Sequence, residues 1–289
     1  MPAADTMEPA DARLDPATLV DHAALAQGDR YEKEDHHHHG PESHSRRLYE
    51  SATRLLRRGC EVHFGGQQSE FAAAREAQLA ALKSEPQAVV PQGAPNFVGG
   101  EHQVFLKHPP LEVFKQTLPG YYGRYLDERV LLDPRTFLNV RMLVMRSALP
   151  SEYLLRWCVM GDVFGLDTIY LGVVRQMAEE PEMAVGQPFI PESPDDPATL
   201  DDVAAFFAAH GFVRVESRLI INPEIQEVTW YRQRDGLLMT DAHARNFRKD
   251  LNGLLIPIDL VISIVRPGAS ALLPPPDRVW KPSFLSSDI

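Results

Sequence analysis

The 289-residue sequence predicts an α+β fold, and three observations predict it. Apolar residues recur at helical spacing in the first third. Short strand-like runs separated by turn residues begin at Gly99, and Asn252-Gly253 marks a tight hairpin near the end. An apolar fraction of 44% is ordinary for a globular chain, so a sizeable core can be buried, in one large domain or two small ones.

Residues 1–45 are rich in Ala, Asp, Pro and His with few large apolar side chains, a composition that predicts disorder. Within them His36 to His39 invite a metal reading, but a flexible polyhistidine binds transition metals without being a designed site. Residues 46–98 read as a helical extension. Leu48, Ala52, Leu55 and Leu56 share one helix face, and Ser69 to Lys83 has the Ala, Leu and Glu content of a second helix. From Gly99 to residue 190, Gln103 to Lys107 and Leu111 to Thr117 read as strands joined through Lys107-His108-Pro109-Pro110. A helix follows from Ser151 to about Met160 with Ser151 as N-cap, then strands from Thr168 to Val174 and Met183 to Ile190.

Pro191 to Pro197 breaks the pattern and marks a hinge. In residues 191–266, Asp201 to His210 reads as a helix stopped by Gly211. Phe247 to Leu251 then folds back on Leu254 to Ile258 through a type I′ turn at Asn252-Gly253, where both central residues need positive φ. Residues 267–289, with Pro267 to Pro276, read as an extended tail.

A net charge of −11 argues against a chain that coats nucleic acid, since phosphate backbones are held by clustered Lys and Arg. Arg54, Arg57 and Arg58 are too few for such an arm and fit a solvated helix face. Cys60 and Cys158 have neither disulfide-framework nor zinc-ligand spacing. The acidic first thirty residues lack the apolar segment of a signal peptide, and no run is long enough to span a bilayer. A reducing cytoplasm is the expected setting.

The chemistry concentrates in Thr240-Asp241-Ala242-His243-Ala244-Arg245-Asn246 and, past the hairpin, in Ile258-Asp259. Folding the hairpin returns Asp259 to Asp241 and Asn246. One carboxylate can then orient an attacking hydroxyl, while an amide and a second carboxylate hold magnesium. His243 lies close by, near a transferred phosphate or packed locally in its loop. Walker A, HExxH and GxSxG patterns are absent.

Asp-x-x-x-x-Asn followed by a hairpin and an apolar-Asp step resembles the catalytic and metal loops of the protein kinase and aminoglycoside phosphotransferase superfamily. From Gly99 to Asp259 the chain resembles more closely the kinase-like domain of polyvalent proteins of phages and mobile elements. The matching pieces are Gly99-Gly100-Glu101-His102, Val113-Phe114-Lys115, Pro119-Gly120, Ser151 to Leu154, Gly186 to Ile190, Gly211-Phe212 and Asp241 to Asn246.

The resemblance implies a reduced two-lobe kinase-like fold that binds ATP and Mg2+ between lobes 99–190 and 191–266. Lys115 would contact the nucleotide phosphates, steadied by Glu152, unless Glu152 only complements the helix dipole. Gly99 and Gly100 would cover the phosphates or form a plain turn, and the main chain at Gln187 to Phe189 would meet adenine. Asp241 would serve as base, with Asn246 and Asp259 as metal ligands. The phosphate acceptor, a small molecule or a protein, stays open.

Several residues depart from the kinase pattern. Met239 stands where a protein kinase has histidine, Leu260-Val261 follows Asp259 in place of Phe-Gly, and no Ala-Pro-Glu follows. These departures keep two alternatives in view: a catalytically inactive nucleotide-binding or interaction module, and a structural partner in a mobile-element complex.

Overall fold

Runs of antiparallel strands are separated by single helices along the described chain, the arrangement of an α+β fold. The structure, a computed structural model, describes residues 47–55, 67–107, 112–132, 137, 139–174, 180–191, 196–215 and 228–265. The expectations for the first 45 residues, Arg57, Arg58, Cys60, the 108–110 turn, most of the proline-rich break after Pro191 and the C-terminal tail fall outside the described residues.

Helix α1 spans 47–55 and buries Leu48, Ala52 and Leu55, the i, i+4, i+7 stripe of its sequence. Helix α2 spans Gln67–Leu82. The segment after it is fastened to a sheet edge. Gln87 bridges to Val173 in parallel, the Ala88 N–H donates to the Val173 carbonyl at 2.9 Å, and the Val173 N–H donates to that of Pro86 at 2.8 Å. Gly172, at φ 121°, makes this approach possible, because a Cβ there would lie 2.1 Å from the Pro86 oxygen.

Strands β1 (Phe97–Val98), β2 (His102–Lys107) and β3 (Glu112–Thr117) run antiparallel. A long hairpin follows, β4 (Arg124–Leu132) with β5 (Asn139–Ser147), in a stretch where the sequence showed no element. Helix α3 (Pro150–Phe164) has Leu149, not the expected Ser151, as its N-cap. Pro150 occupies the first helical position, and the Glu152 carboxylate accepts from the Leu149 N–H at 2.7 Å. Gly165, at φ 71°, stops the helix. Strands β6 (Ile169–Val174) and β7 (Glu182–Pro188) complete a five-stranded sheet in the order β1-β2-β3-β7-β6, which puts β3 at its centre. Gln78 on α2 accepts from the Ser151 N–H at 3.0 Å, so the N-terminal extension caps α3.

Helix α4 (Leu200–Ala209) starts at Thr199 with a capping box to Asp202 and turns out at Gly211, φ 77°. A four-stranded sheet then forms in the order β13-β10-β9-β8, from β8 (Val213–Arg214), β9 (Trp230–Arg232), β10 (Leu237–Thr240) and β13 (Val261–Ile264). Its two middle strands and β13 are buried throughout, so they lack the alternation that marks a half-exposed strand. Between β10 and β13 lies the expected hairpin, β11 (Phe247–Lys249) with β12 (Leu255–Pro257). Its turn differs from expectation. Only Gly253 has positive φ, 81°, and its N–H donates to the Asp250 carbonyl at 2.9 Å. That is a type I turn closed by a left-handed glycine. Asp250 Oδ1 supports it, accepting from the Asn252 and Leu254 N–H groups at 2.9 and 2.8 Å.

The β4–β5 hairpin joins the second sheet. Leu126 and Leu143 pack with Val215, Tyr231, Leu238 and Val265. The Leu126 N–H donates to Ser263 Oγ at 2.7 Å, and the Tyr125 hydroxyl both donates to and accepts from the Ile264 main chain at 3.0 Å. Thus an element from residues 99–190 shares its core with strands from 191–266.

One buried carboxylate in the first sheet is poorly compensated. Glu182 is 2% exposed and accepts from the neutral Gln116 Nε2, while Gln116 Oε1 is buried without a partner. Burial raises the Glu182 pKa and the Gln116 hydrogen bond only partly opposes this. A raised acid pKa favours the protonated fold, so stability is lost as pH climbs from the unfolded value near 4.5 through the folded one. Glu182→Gln, which supplies a donor for Gln116 Oε1, is expected to stabilise the protein at neutral pH by about 1 kcal/mol. Urea unfolding at several pH values should show the gain shrinking towards pH 4.

Candidate functional site

Strand β10 ends at Thr240, and Asp241 then turns the chain with φ 59°, a left-handed conformation that Asp adopts more readily than most residues. Asn246 fixes that turn. Its Nδ2 donates to the Asp241 carbonyl at 2.6 Å and to Asp241 Oδ2 at 2.9 Å, leaving Asn246 Oδ1 for another partner. Ala244–Asn246 forms one 3-10 turn, and His243 Nε2 lies 3.5 Å from Asp241 Oδ1. The Asp241 side chain is 45% exposed, so the carboxylate faces solvent.

The β11–β12 hairpin brings the chain back, and the Ile258 N–H donates to the Asn246 carbonyl at 2.8 Å. The Ile258 carbonyl in turn accepts from Lys115 Nζ at 2.6 Å. One peptide residue thus joins Lys115, from the centre of the first sheet, to Asn246, and Asp259 is the next residue. Lys115 is 5% exposed, and its Nζ lies over the Trp157 ring at 4.9 Å. Burial lowers its pKa, with Asp259 opposing.

Around Asp259 the side chains form a closed network. Arg156, from the middle of α3, donates Nη1 to Glu101 Oε2 at 2.6 Å and Nη2 to Asp259 Oδ1. His102 Nδ1 is 3.7 Å from Glu101 and 4.0 Å from Asp259, and its Nε2 is 3.1 Å from the Tyr153 hydroxyl. Burial would raise the Asp259 pKa, but Lys115, Arg156 and His102 reverse this and hold it well below the usual carboxylate range. His102 is pushed down to about 4, chiefly by burial, so its ring is neutral at neutral pH.

Five of the expected site residues therefore lie in one connected network: Lys115, Asp241, His243, Asn246 and Asp259. Glu152 does not reach Lys115. Its carboxylate pairs with Arg146 at 2.6 and 2.7 Å and caps α3, which is the dipole-complementing alternative. Arg156, one helical turn further on, is the α3 charge that enters the cluster instead. Gln187 is buried with Nε2 bound to Thr168 Oγ1 at 3.2 Å, and Phe189 lies half-buried just past the end of β7. Gly99 and Gly100 are exposed in the β1–β2 turn. Neither has positive φ, and a Cβ would meet nothing closer than 3.8 Å, so the fold itself does not demand glycine there.

Sequence reasoning placed Glu101 and His102 only in the segment that would cover the phosphates, and gave no role to Arg156. Arg156 had a signal: it is the lone charge in the otherwise apolar run Tyr153 to Met160, a position that burial forbids unless the charge is paired.

Compared with known proteins, the chain matches no family model, no curated protein and no solved structure. Among the described residues no helix is long and apolar enough to cross a membrane.

Proposed function

We propose that the protein is an ATP- and Mg2+-dependent, kinase-like phosphotransferase of the cytoplasm that passes a γ-phosphate to a hydroxyl acceptor. The observation that carries this reading is the Ile258 junction, where a buried lysine, an amide loop and a carboxylate converge from distant parts of the chain. The donor set suits magnesium, since Asn246 Oδ1 and the Asp259 carboxylate are hard oxygen ligands. When bound, the ion would neutralise phosphate charge. Lys115 would hold the phosphates by charge. Gly99 and Gly100, unconstrained by the fold, leave space for main-chain approach to an anion, and the chain at Gln187 to Phe189 would take the base. Asp241 would orient the acceptor hydroxyl and take its proton on Oδ1; in support, its carboxylate is 45% exposed and His243 Nε2 lies 3.5 Å away.

A second reading, a nucleotide-binding module without turnover, is favoured by one observation. Asp259 is already engaged by Arg156, and Glu152 is not available to steady Lys115. Phosphate release or transfer separates the two.

Thermal-shift titration with ATP, with and without magnesium, tests the shared site. At ligand concentrations a hundredfold above Kd the stabilisation is about 2.7 kcal/mol. The expected result is a shift that needs both ligands and is absent from Asp259→Asn. A wild-type protein indifferent to every nucleotide would end both readings and leave an interaction role.

A further inference from the structure

Glu101, His102 and Asp259 can each aim one ligand atom at a common point, all within 4.8 Å of one another. The space they address holds a guanidinium. Arg156 bridges the two carboxylates with separate nitrogens, and it is held from behind by the Trp157 ring at 4.8 Å. Room for this bridge is built into the backbone: Gly123, at φ 88°, lacks a Cβ that would fall 2.1 Å from Glu101 Oε1 and 3.3 Å from Arg156 Nη1.

We infer that Arg156 is the resident cation of a latent divalent-metal site made by Glu101, His102 and Asp259, and that it excludes free metal from the empty protein. The electrostatic count supports this. Two carboxylates face Arg156 and Lys115, so the cluster is already neutral, and a divalent ion would meet two fixed cations at close range. Arginine cannot relieve the conflict by losing its proton. It can only move.

The consequence for ligand order rests on the phosphotransferase reading. Metal would enter together with a polyphosphate, whose negative charge offers the guanidinium a new partner when Asp259 is taken. Arg156 Nε, buried without an acceptor, is a further donor for that exchange. Arg156 thereby becomes a specificity-determining residue that selects the metal–nucleotide complex over the free ion.

The test is a thermal-shift titration of the full chain with Mn2+ alone, an ion that accepts both oxygen and imidazole ligands. Arg156→Gln is expected to respond with a midpoint at least tenfold below wild type, or to be recovered folded only in Mn2+. Arg156→Lys, which keeps the charge, should stay like wild type. Adding Asp259→Asn to Arg156→Gln should remove the gain, which also separates this site from weak binding by His36 to His39, present in every variant. An Arg156→Gln midpoint within twofold of wild type, a gain that survives Asp259→Asn, or a chain that fails to fold with or without Mn2+ overturns the inference. Failure of wild type to respond to ATP and magnesium would remove the nucleotide reading but leave this comparison intact.

Discussion

Trp157→Ala is expected to lower the unfolding free energy by about 3–5 kcal/mol, the usual cost of truncating a buried tryptophan. Trp157 is fully buried in α3 and organises the cluster from beneath. Lys115 and Arg156 lie over its ring, and Tyr153 meets it edge-on at 5.8 Å. Removing the indole opens a cavity and withdraws two cation–π contacts, so Lys115 loses the surface that positions its Nζ. Denaturant unfolding measures the first effect, and the midpoint of the proposed ATP titration the second. Trp157→Phe, which keeps a ring face, should recover more than half of the lost stability. Equal losses in the two variants would show that neither the retained volume nor a ring face matters, and that the indole itself is required.

The second large effect is expected at Asp259. Asp259→Asn removes the carboxylate shared by Arg156, Lys115 and His102, leaving one acid, Glu101, beside two buried cations. Breaking a buried pair costs about 3–5 kcal/mol. The Asp259 side chain is a third exposed, and solvent screening trims the expected loss to about 2 kcal/mol. The pH dependence has a definite sign. Because the folded pKa is depressed, the stabilisation is present above the unfolded value near 3.8 and disappears as pH falls through the folded one. Wild type and variant should therefore differ down to about pH 4 and converge below it. A difference that does not depend on pH would mean that the carboxylate charge contributes nothing.

Much of the site was legible because its chemistry is local. Asp241 and Asn246 share a loop, and the hairpin that returns Asp259 announces itself by Asn252-Gly253 between apolar runs. The turn type was misjudged because Asp250 supplies side-chain acceptors that stabilise a longer connection. The β4–β5 hairpin escaped because its apolar residues do not alternate cleanly. Val261–Ile264 escaped because four consecutive buried residues look like any apolar run. Glu152 and Arg156 show the limit of motif transfer. Both lie on α3, but the helix start is set by Pro150 and by Gln78 on another helix, which one sequence window does not reveal.

The Tyr125–Ile264 and Leu126–Ser263 bonds span 139 and 137 residues of chain. Closing so long a loop costs entropy before any contact rewards it, so this pairing places the protein among slow, non-local folders. It also means that residues 99–190 made alone would present the apolar side of β4 and β5 uncovered, with no strand from the second sheet to receive it. The chain should therefore melt in a single transition, and a nascent chain that has emerged only as far as β7 is a natural client for a chaperone.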